Sequence, residues 1–244
     1  MINWLKKIYI SEDFNPRYIG IFTNPFYLPR RELFRIIKIL SSKINKGNLL
    51  DVGCGSKPYR NLFKVDKYIG LDIENEGHNH DYEEVDIFYD GTTFPFDDII
   101  FDNVICNQVL EHVFNPDKFL KEINRVLRKD GLFLLTVPFL WDEHEKPFDF
   151  ARYSSFGLKH ILNENGFEIQ QQYKTNSHVG IIFIFINIIL YKFIQTKSIK
   201  LNLIINALIL SPFNILSIIF SSIKLPNKDI YIDNIILAKK IKNV

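Results

Sequence analysis

The stretch NLLDVGCGSKPYRNLF, residues 48–63, decides the fold. Its first five residues are apolar almost throughout, which is typical of a strand buried on both faces of a parallel sheet. The chain then turns on Gly53 and Gly55, where the lack of a Cβ lets the backbone approach a ligand closely. In α/β proteins ligands bind beyond the carboxyl ends of the strands, so this turn is the first candidate site.

Outward from this turn, segments with strand and helix patterns alternate along the chain. We predict further strands at 67–73, 84–90, 99–108, 132–139, 167–174 and 229–240. We predict helices at 30–44, from Pro116 to a stop at Gly131, and at 154–166, and the prolines at 16, 25 and 29 are expected to prevent a long helix before residue 30. The fold class is therefore α/β: a Rossmann-like, doubly wound, mostly parallel seven-stranded sheet with helices on both faces. An apolar helical insertion precedes the last strand.

Composition limits the classes of function. The chain has 244 residues and a formal net charge of +2, which disfavours a protein built to neutralise nucleic acid. Its two cysteines, Cys54 and Cys106, form neither a disulfide framework nor a CxxC pattern, so we expect a reducing, cytoplasmic setting. The first residues lack the features of a signal peptide.

The turn does not fit a nucleotide-phosphate loop. A dinucleotide fingerprint needs a third glycine, whereas Pro58 stands there, and no GKS or GKT sequence follows. Asp51 would repel a pyrophosphate but would suit a cationic amine. About 20 residues later Asp72 ends the second strand, where an acid can accept both hydroxyls of a ribose. A ligand with a ribose, a cationic amino-acid tail and no phosphate is S-adenosylmethionine.

Three quoted segments support a family resemblance. LLDVGCGSKPY, YIGLDI and DGTTFPFDDIIFDNVICNQVLEHVFNPDKFLKEINRVLRKDGLFLLTVP together resemble the class I S-adenosylmethionine-dependent methyltransferases of type 11, over roughly residues 47–175. The segment PFLWDEHEKPFDFARYSSFGLKHILNENGF, residues 138–167, resembles a subgroup associated with bacterial surface-polysaccharide and sugar-modification clusters. The implied organisation is a lead-in with a cap helix (1–46), a cofactor-binding methyltransferase core (47–178), the insertion (179–228) and a closing strand (229–244).

The resemblance also implies cofactor contacts. Asp51, Gly53 and Gly55 would line the methionine moiety, and Asp72 would hold the ribose. The remaining contacts implied are Asp90 and Gly91 at the adenine, and Asn107 and Gln108 at the methionine end.

Methyl transfer from a sulfonium is an in-line displacement, and an alcohol acceptor benefits from a general base. The candidate catalytic residues are His112 and His144. His144 lies in an acid-rich loop that favours its protonated form, which suits substrate orientation. His112 has the alternative role of capping or packing a helix start.

Three further residues of this segment, Asp149, Arg152 and Tyr153, are candidate contacts for the acceptor. The alternative for Arg152 and Tyr153 is that they fasten the loop to the sheet. We predict no metal, because the reaction needs none and because His78 and His80 fit a polar loop better than a metal site.

The apolar segment before the last strand has three alternative interpretations. Residues 179–191 are too short to span a bilayer, and Pro212 is expected to break 201–223 into two helices with a weakly polar face. These helices could pack on the domain as a lid, lie in a membrane interface through 179–223, or span the membrane as a hairpin. Five lysines favour contact with anionic lipid: Lys192, Lys197, Lys200, Lys224 and Lys228.

The sequence therefore predicts an S-adenosylmethionine-dependent methyltransferase that methylates oxygen of a sugar or other small acceptor. We expect it in the cytoplasm, at the inner face of the membrane if the insertion contacts lipid. The alternative is a catalytically silent cofactor-binding partner of a membrane-associated glycan-assembly enzyme. A nicotinamide oxidoreductase is disfavoured by the missing third glycine and by Asp51.

Overall fold

A computed structural model describes residues 12–73 and 84–244, and the chain divides into two compact units. The sheet unit comprises residues 37–173 and 233–244. The helical unit comprises residues 1–36 and 174–232. His78 and His80, which were considered above as metal ligands, lie outside the described residues.

Among the described residues, seven strands form one sheet in the order β3-β2-β1-β4-β5-β7-β6. The strands are β1 (Asn48–Val52), β2 (Lys67–Ile73), β3 (Ile87–Tyr89), β4 (Phe101–Asn107), β5 (Leu127–Pro138), β6 (Phe167–Lys174) and β7 (Asp233–Lys240). β1 pairs in parallel with β2 and β4, whereas β7 runs antiparallel to β5. The strand order reverses between β1 and β4, so the carboxyl ends of these two strands form the switch point at which such sheets bind ligands. The predicted fold class is confirmed.

The helices flank the strands in sequence. They are α1 (Gly20–Thr23), α2 (Tyr27–Ser41), α3 (Pro116–Val126), α4 (Ser155–Glu164), α5 (Ile181–Ile194), α6 (Ile199–Ile205) and α7 (Ser211–Phe220). Asn115 caps α3 and Ser154 caps α4, each through a side-chain oxygen that accepts a backbone N–H of the first turn. α2 begins three residues before the predicted start, since Pro29 falls in its first turn, where no intrahelical N–H bond is required.

The core of the sheet unit lies under α3 and α4. Leu50, Val104 and Leu135 on the central strands are fully buried, and they belong to one cluster with Leu120 of α3. Cys54 and Cys106 are free and buried, in agreement with the absence of a disulfide framework in the sequence.

Gly131 does not end a helix, and that prediction was wrong. α3 ends at Val126, and the chain passes directly into β5. A Cβ on Gly131 would lie 2.8 Å from the backbone oxygen of Asp102, at the point where the pairing of β4 with β5 shifts register. The glycine therefore permits a close approach of two backbones at an irregular stretch of the sheet.

In the helical unit, Pro212 does not break the apolar segment. α6 continues through a π-helical turn, Asn206–Leu210, directly into α7, and Pro212 lies in the first turn of α7. A π turn absorbs the mismatch that a proline ring creates in a helix, so the two helices predicted from the sequence form one continuous rod.

The helical unit buries several asparagines among its apolar side chains. Buried Asn214 donates to the backbone oxygens of Ile21 and Asn24, both at 2.9 Å, and buried Asn206 donates to Thr23 at 2.8 Å. These bonds satisfy carbonyls at the end of α1, where no intrahelical partner exists. The side chains that face outward are large and apolar: Ile182, Ile189, Phe193, Ile204, Leu208 and Ile219.

Candidate functional site

The turn after β1 places two glycines in the left-handed region, with φ of +70° at Gly53 and +46° at Gly55. The backbone N–H of Gly53 donates to Leu71 at 2.8 Å, which fixes the turn against β2. A Cβ on Gly53 would lie 2.3 Å from Val109 Cγ2, whereas a Cβ on Gly55 would meet no protein atom within 4 Å. Gly53 is thus required by packing, and Gly55 leaves its backbone open to a ligand.

Beyond this turn lies a cavity of about 680 Å³. Gly53, Gly55 and Asp72 form one end of its wall. The other end is formed by His112, Glu145 and three aromatic side chains, Phe114, Phe148 and Phe150. A cavity of this size holds a nucleoside-sized ligand together with a small second molecule.

Asp72 ends β2 at the cavity wall. One carboxylate oxygen accepts the N–H of Gly55 and the other accepts the N–H of Ile73, both at 2.8 Å. These bonds hold the carboxylate at the edge of the glycine turn. A carboxylate oxygen can accept more than one hydrogen bond, so a carboxylate at this position suits a ligand with hydroxyl groups.

Comparisons with known proteins agree with this geometry. Residues 50–135 match the family model described as a methyltransferase domain. The chain is 38% identical over 130 residues to an uncharacterized protein of Methanocaldococcus jannaschii, with 52% of this chain and 56% of that protein covered. It is 27% identical over 163 residues to a protein of Mycolicibacterium smegmatis named as a probable S-adenosylmethionine-dependent methyltransferase, with 62% of this chain and 63% of that protein covered.

Among solved structures, phosphoethanolamine N-methyltransferase 2 of Haemonchus contortus in complex with S-adenosyl-L-methionine superposes with a TM-score of 0.54 at 17% identity. The match covers 92% of this chain and 56% of that one, and shows a shared fold. Residues 50–135 thus form a domain that is similar to the S-adenosylmethionine-dependent methyltransferases. The matched regions span 56% and 63% of the two curated relatives.

The residues of the methyltransferase domain fit S-adenosylmethionine, the cofactor of this class. Gly55 presents backbone without a Cβ, and Asp72 presents a carboxylate beside it on the cavity wall, at the end of the second strand where such folds hold a ribose. Gly91, with φ of +79°, and its neighbour Thr92 line the same wall after β3. The cradle and its acid are both present, so we assign this end of the cavity to the cofactor.

Asp51 lies beneath the turn and does not line the cavity. Its carboxylate is buried and accepts the hydroxyl of Tyr68 at 2.5 Å. Burial raises the pKa of Asp51 to about 7, an effect that the Tyr68 hydrogen bond opposes and the charge of Asp72 reinforces. Asp51 therefore supports the turn through its bond to Tyr68 of β2 and does not contact the cavity.

Of the remaining predicted cofactor residues, some line the cavity and others bond to protein groups outside it. Asp90 is exposed, and its carboxylate accepts N–H groups of Thr92 and Thr93, so it closes its own loop and is not among the residues of the cavity wall. The Asn107 side chain accepts the hydroxyl of Thr136 at 2.6 Å, whereas Gln108 reaches the wall. Gln108 has a φ of +56°, which turns the chain away from β4.

Lys57 was not singled out from the sequence. It is only 5% exposed, and its ammonium lies 2.7 Å from Asp86 Oδ2, which also accepts the N–H of Gly70. Burial opposes the charge of Asp86, but the bonds from Gly70 and Lys57 hold its pKa below the usual value. The pair joins the glycine turn to β2 and to the segment before β3. A lysine two residues after GxG was the available signal.

The predicted catalytic histidines lie side by side at the acceptor end. The rings of His112 and His144 pack edge to face with centroids 4.8 Å apart. His112 follows β4 and lines the cavity, whereas His144 lies in the loop after β5 and is not among the lining residues. Burial lowers the pKa of His112, which favours the neutral imidazole.

The predicted acceptor contacts brace this loop. Both terminal nitrogens of Arg152 donate to the buried carboxylate of Asp149, which also accepts the N–H of His144 at 3.0 Å. Despite burial, the bonds from Arg152 and His144 lower the pKa of Asp149 to about 2. The Tyr153 ring packs against the core. Arg152 and Tyr153 thus have the contacts of the fastening role that the sequence left as an alternative, and Asp149, predicted as an acceptor contact, is paired with Arg152.

Glu111 is the second residue that sequence reasoning missed. Its side chain is 0% exposed, and neither carboxylate oxygen has a hydrogen-bond partner. Burial raises the pKa of Glu111 to about 8, and the charge of Arg152 opposes this effect only in part. Its position directly before His112, at the end of a central strand, was the signal.

Proposed function

We propose that this chain transfers a methyl group from S-adenosylmethionine to an oxygen of a small acceptor, a sugar or another small hydroxyl compound. When bound, the cofactor supplies an electrophilic methyl group on its sulfonium. The observation that supports the proposal is the single cavity that joins the glycine turn and Asp72 to His112. One wall binds the donor, and the other presents a basic group to the acceptor.

The aromatic side chains favour a sugar-like acceptor. Phe114 and Phe150 pack edge to face with centroids 5.3 Å apart, and both line the cavity with Phe148. Aromatic faces bind the apolar faces of a sugar ring and exclude water from the reacting atoms. Glu145 and Lys118 add polar groups to the same wall, which suits an acceptor with several hydroxyls.

His112 is assigned the activation of the acceptor oxygen. Its Nδ1 lies 2.9 Å from the carbonyl oxygen of Phe148, which can only accept, so the proton of the neutral ring is on Nδ1. Nε2 therefore has a lone pair available. A hydroxyl is a poor nucleophile while protonated, and a basic nitrogen on the cavity wall lowers that barrier.

The test is transfer of labelled methyl from S-adenosylmethionine to a panel of glycosides. His112→Ala should lower kcat by about 10²–10⁴-fold while S-adenosylhomocysteine still binds. His160→Ala, which removes an exposed histidine of α4, should change neither. Unchanged turnover of His112→Ala would contradict its role. Cofactor binding without methylation of any acceptor would favour the silent-partner alternative.

We also propose that the helical unit attaches the enzyme to a membrane interface. Its exposed residues include many large apolar side chains, such as Ile189, Phe193 and Leu208, together with lysines, which is the composition of a helix that lies in an interface. By length and composition alone, one helix of the described residues, Ile199–Phe220, is long and apolar enough to cross a membrane. Only 28% of the most apolar 18-residue stretch of this helix is buried, so most of it is accessible to lipid.

Flotation with vesicles that contain anionic lipid tests this attachment. The parent protein should float, and the double variant Phe193→Asp with Leu208→Asp should not, because charges on the lipid side are costly. Phe156→Asp on α4 is the matched control, since Phe156 and Phe193 are both 82% exposed. Failure of the parent to float, or equal flotation of all three proteins, would refute the proposal.

A further inference from the structure

Three ligand-type side chains meet beside the acceptor end of the cavity. Glu111 and His112 lie in the turn after β4, and His144 lies in the loop after β5. One donor atom from each lies within 4.8 Å of the other two. The two strands are parallel neighbours, so their carboxyl ends bring together residues that are distant in sequence.

Glu111 is the independent sign that a ligand belongs here. A buried carboxyl group without a hydrogen bond costs free energy whether it is charged or neutral. Neither oxygen of Glu111 has a partner, yet Oε1 lies 3.9 Å from Nε2 of His112. A group that binds both of these atoms would satisfy the carboxylate.

The His112 imidazole is held in the tautomer that a cation requires, because its Nδ1 donates to the Phe148 oxygen and its lone pair is therefore on Nε2. His144 Nδ1 lies 3.2 Å from the Asp142 oxygen and 3.5 Å from Nη2 of Arg152, so two neighbours hold this ring in place. Hydrogen bonds of this kind from the distal nitrogen orient histidine ligands in metal sites.

Two carboxylate groups approach Nε2 of His112. Besides Glu111, the carboxylate of Glu145 approaches His112 Nε2 to 3.3 Å. The nearby positive charge, Arg152, is paired through both terminal nitrogens with Asp149. A cation between these groups, or a proton that they share, would balance the electron pairs that face His112.

We propose that Glu111, His112 and His144 bind a divalent d-block cation, with Zn²⁺ as the best match. Two imidazoles and one carboxylate are a ligand set of catalytic zinc sites, which keep a further position open. That position would face the cavity, where His112 and Glu145 line the wall. The catalytic consequence rests on the proposed function: a cation here lowers the pKa of an acceptor hydroxyl, and His112 then acts through it.

Metal binding is measured on the full chain without an affinity tag, after chelator treatment. Equilibrium dialysis gives the stoichiometry with Zn²⁺, and the visible absorption of Co²⁺ reports its coordination. The parent should bind one ion per chain with a spectrum typical of low coordination number. Glu111→Gln and His144→Ala should each weaken binding at least about tenfold.

Two controls isolate the site. His160→Ala should bind like the parent, and so should the double variant His78→Ala with His80→Ala. Glu111→Gln replaces an unpartnered carboxyl with a neutral group of the same shape, so its metal-free form should unfold at the temperature of the parent or above.

Three results would overturn the site. They are no ion bound by the folded parent, an affinity in Glu111→Gln and His144→Ala equal to that of the parent, or loss of binding in the His78/His80 variant. Absence of binding would show that a proton shared by these groups, and no cation, balances the cluster. S-adenosylhomocysteine binding, measured on the same samples, separates failure of this site from failure of the proposed function.

Discussion

Gly53 shows how one residue serves both packing and binding. Gly53→Ala combines a left-handed φ of +70° with a Cβ placed 2.3 Å from Val109, so we expect about 2–4 kcal/mol of destabilisation and weaker S-adenosylhomocysteine binding. Gly157→Ala is the control, because Gly157 lies in α4 with 3.5 Å of clearance and should gain up to about 1 kcal/mol. Urea unfolding measures both. Equal stability of the two variants would contradict this account of the turn.

Asp51 makes stability depend on pH. Its pKa is about 7 in the folded chain against 3.8 when exposed, so between these values the native state holds a proton that the unfolded state has lost. The free energy of unfolding should therefore fall as pH rises through this window. Between pH 5 and pH 7 the parent should lose about 2 kcal/mol relative to Asp51→Asn. Parallel pH profiles for the two proteins would show that Asp51 is not protonated.

At the residue scale, sequence reasoning found the positions and missed some of their directions. Gly53, Gly55 and Asp72 lie at the cavity as expected, because strand ends and glycine spacing determine where the backbone turns. Asp51 and Asp90 are near, but their carboxylates bond to protein groups. No periodicity reveals the direction of a side chain in a loop, and for the same reason the buried Glu111 and Lys57 escaped notice.

At the scale of elements, the Lys57–Asp86 pair joins the glycine turn, β2 and the segment before β3, and the two partners should differ in their contribution to stability. The Lys57 side chain is 2% exposed, whereas that of Asp86 is 45% exposed. Asp86→Ala leaves a buried ammonium without its counterion and should cost about 3 kcal/mol. Lys57→Met leaves a carboxylate that water can reach and should cost less. Chemical unfolding of both variants measures the difference, and a larger loss in Lys57→Met would refute the assignment.

Elements with regular periodicity were predicted closely, and irregular ones were not. The helix predicted at 154–166 runs from Ser155 to Glu164, and the predicted strands of the sheet all occur. The errors concern Gly131 and Pro212, each of which is a frequent terminator of helices. In the structure Gly131 permits a backbone contact with β4, and Pro212 follows a π turn. Both outcomes depend on neighbours that a local pattern does not contain.

At the scale of the whole molecule, the helical unit is distinguished by what it exposes. It buries Asn187, Asn206 and Asn214 beside apolar side chains such as Ile184 and Leu210, and it exposes other large apolar side chains. The sequence predicted an apolar segment with a weakly polar face. That Asn206 and Asn214 face inward follows from their bonds to backbone oxygens at the end of α1, far earlier in the chain, which no local pattern contains.

The central claim is that the cavity after β1 and β2 binds the methyl donor, and calorimetric titration with S-adenosylhomocysteine tests it most directly. The parent should bind one equivalent. Asp72→Ala should weaken binding at least about tenfold, the value of one lost hydrogen bond to a charged group, while Asp90→Ala changes it little. Near-ultraviolet circular dichroism confirms that each variant is folded. Absence of binding to the folded parent would contradict the account. So would an affinity of Asp72→Ala for S-adenosylhomocysteine equal to that of the parent.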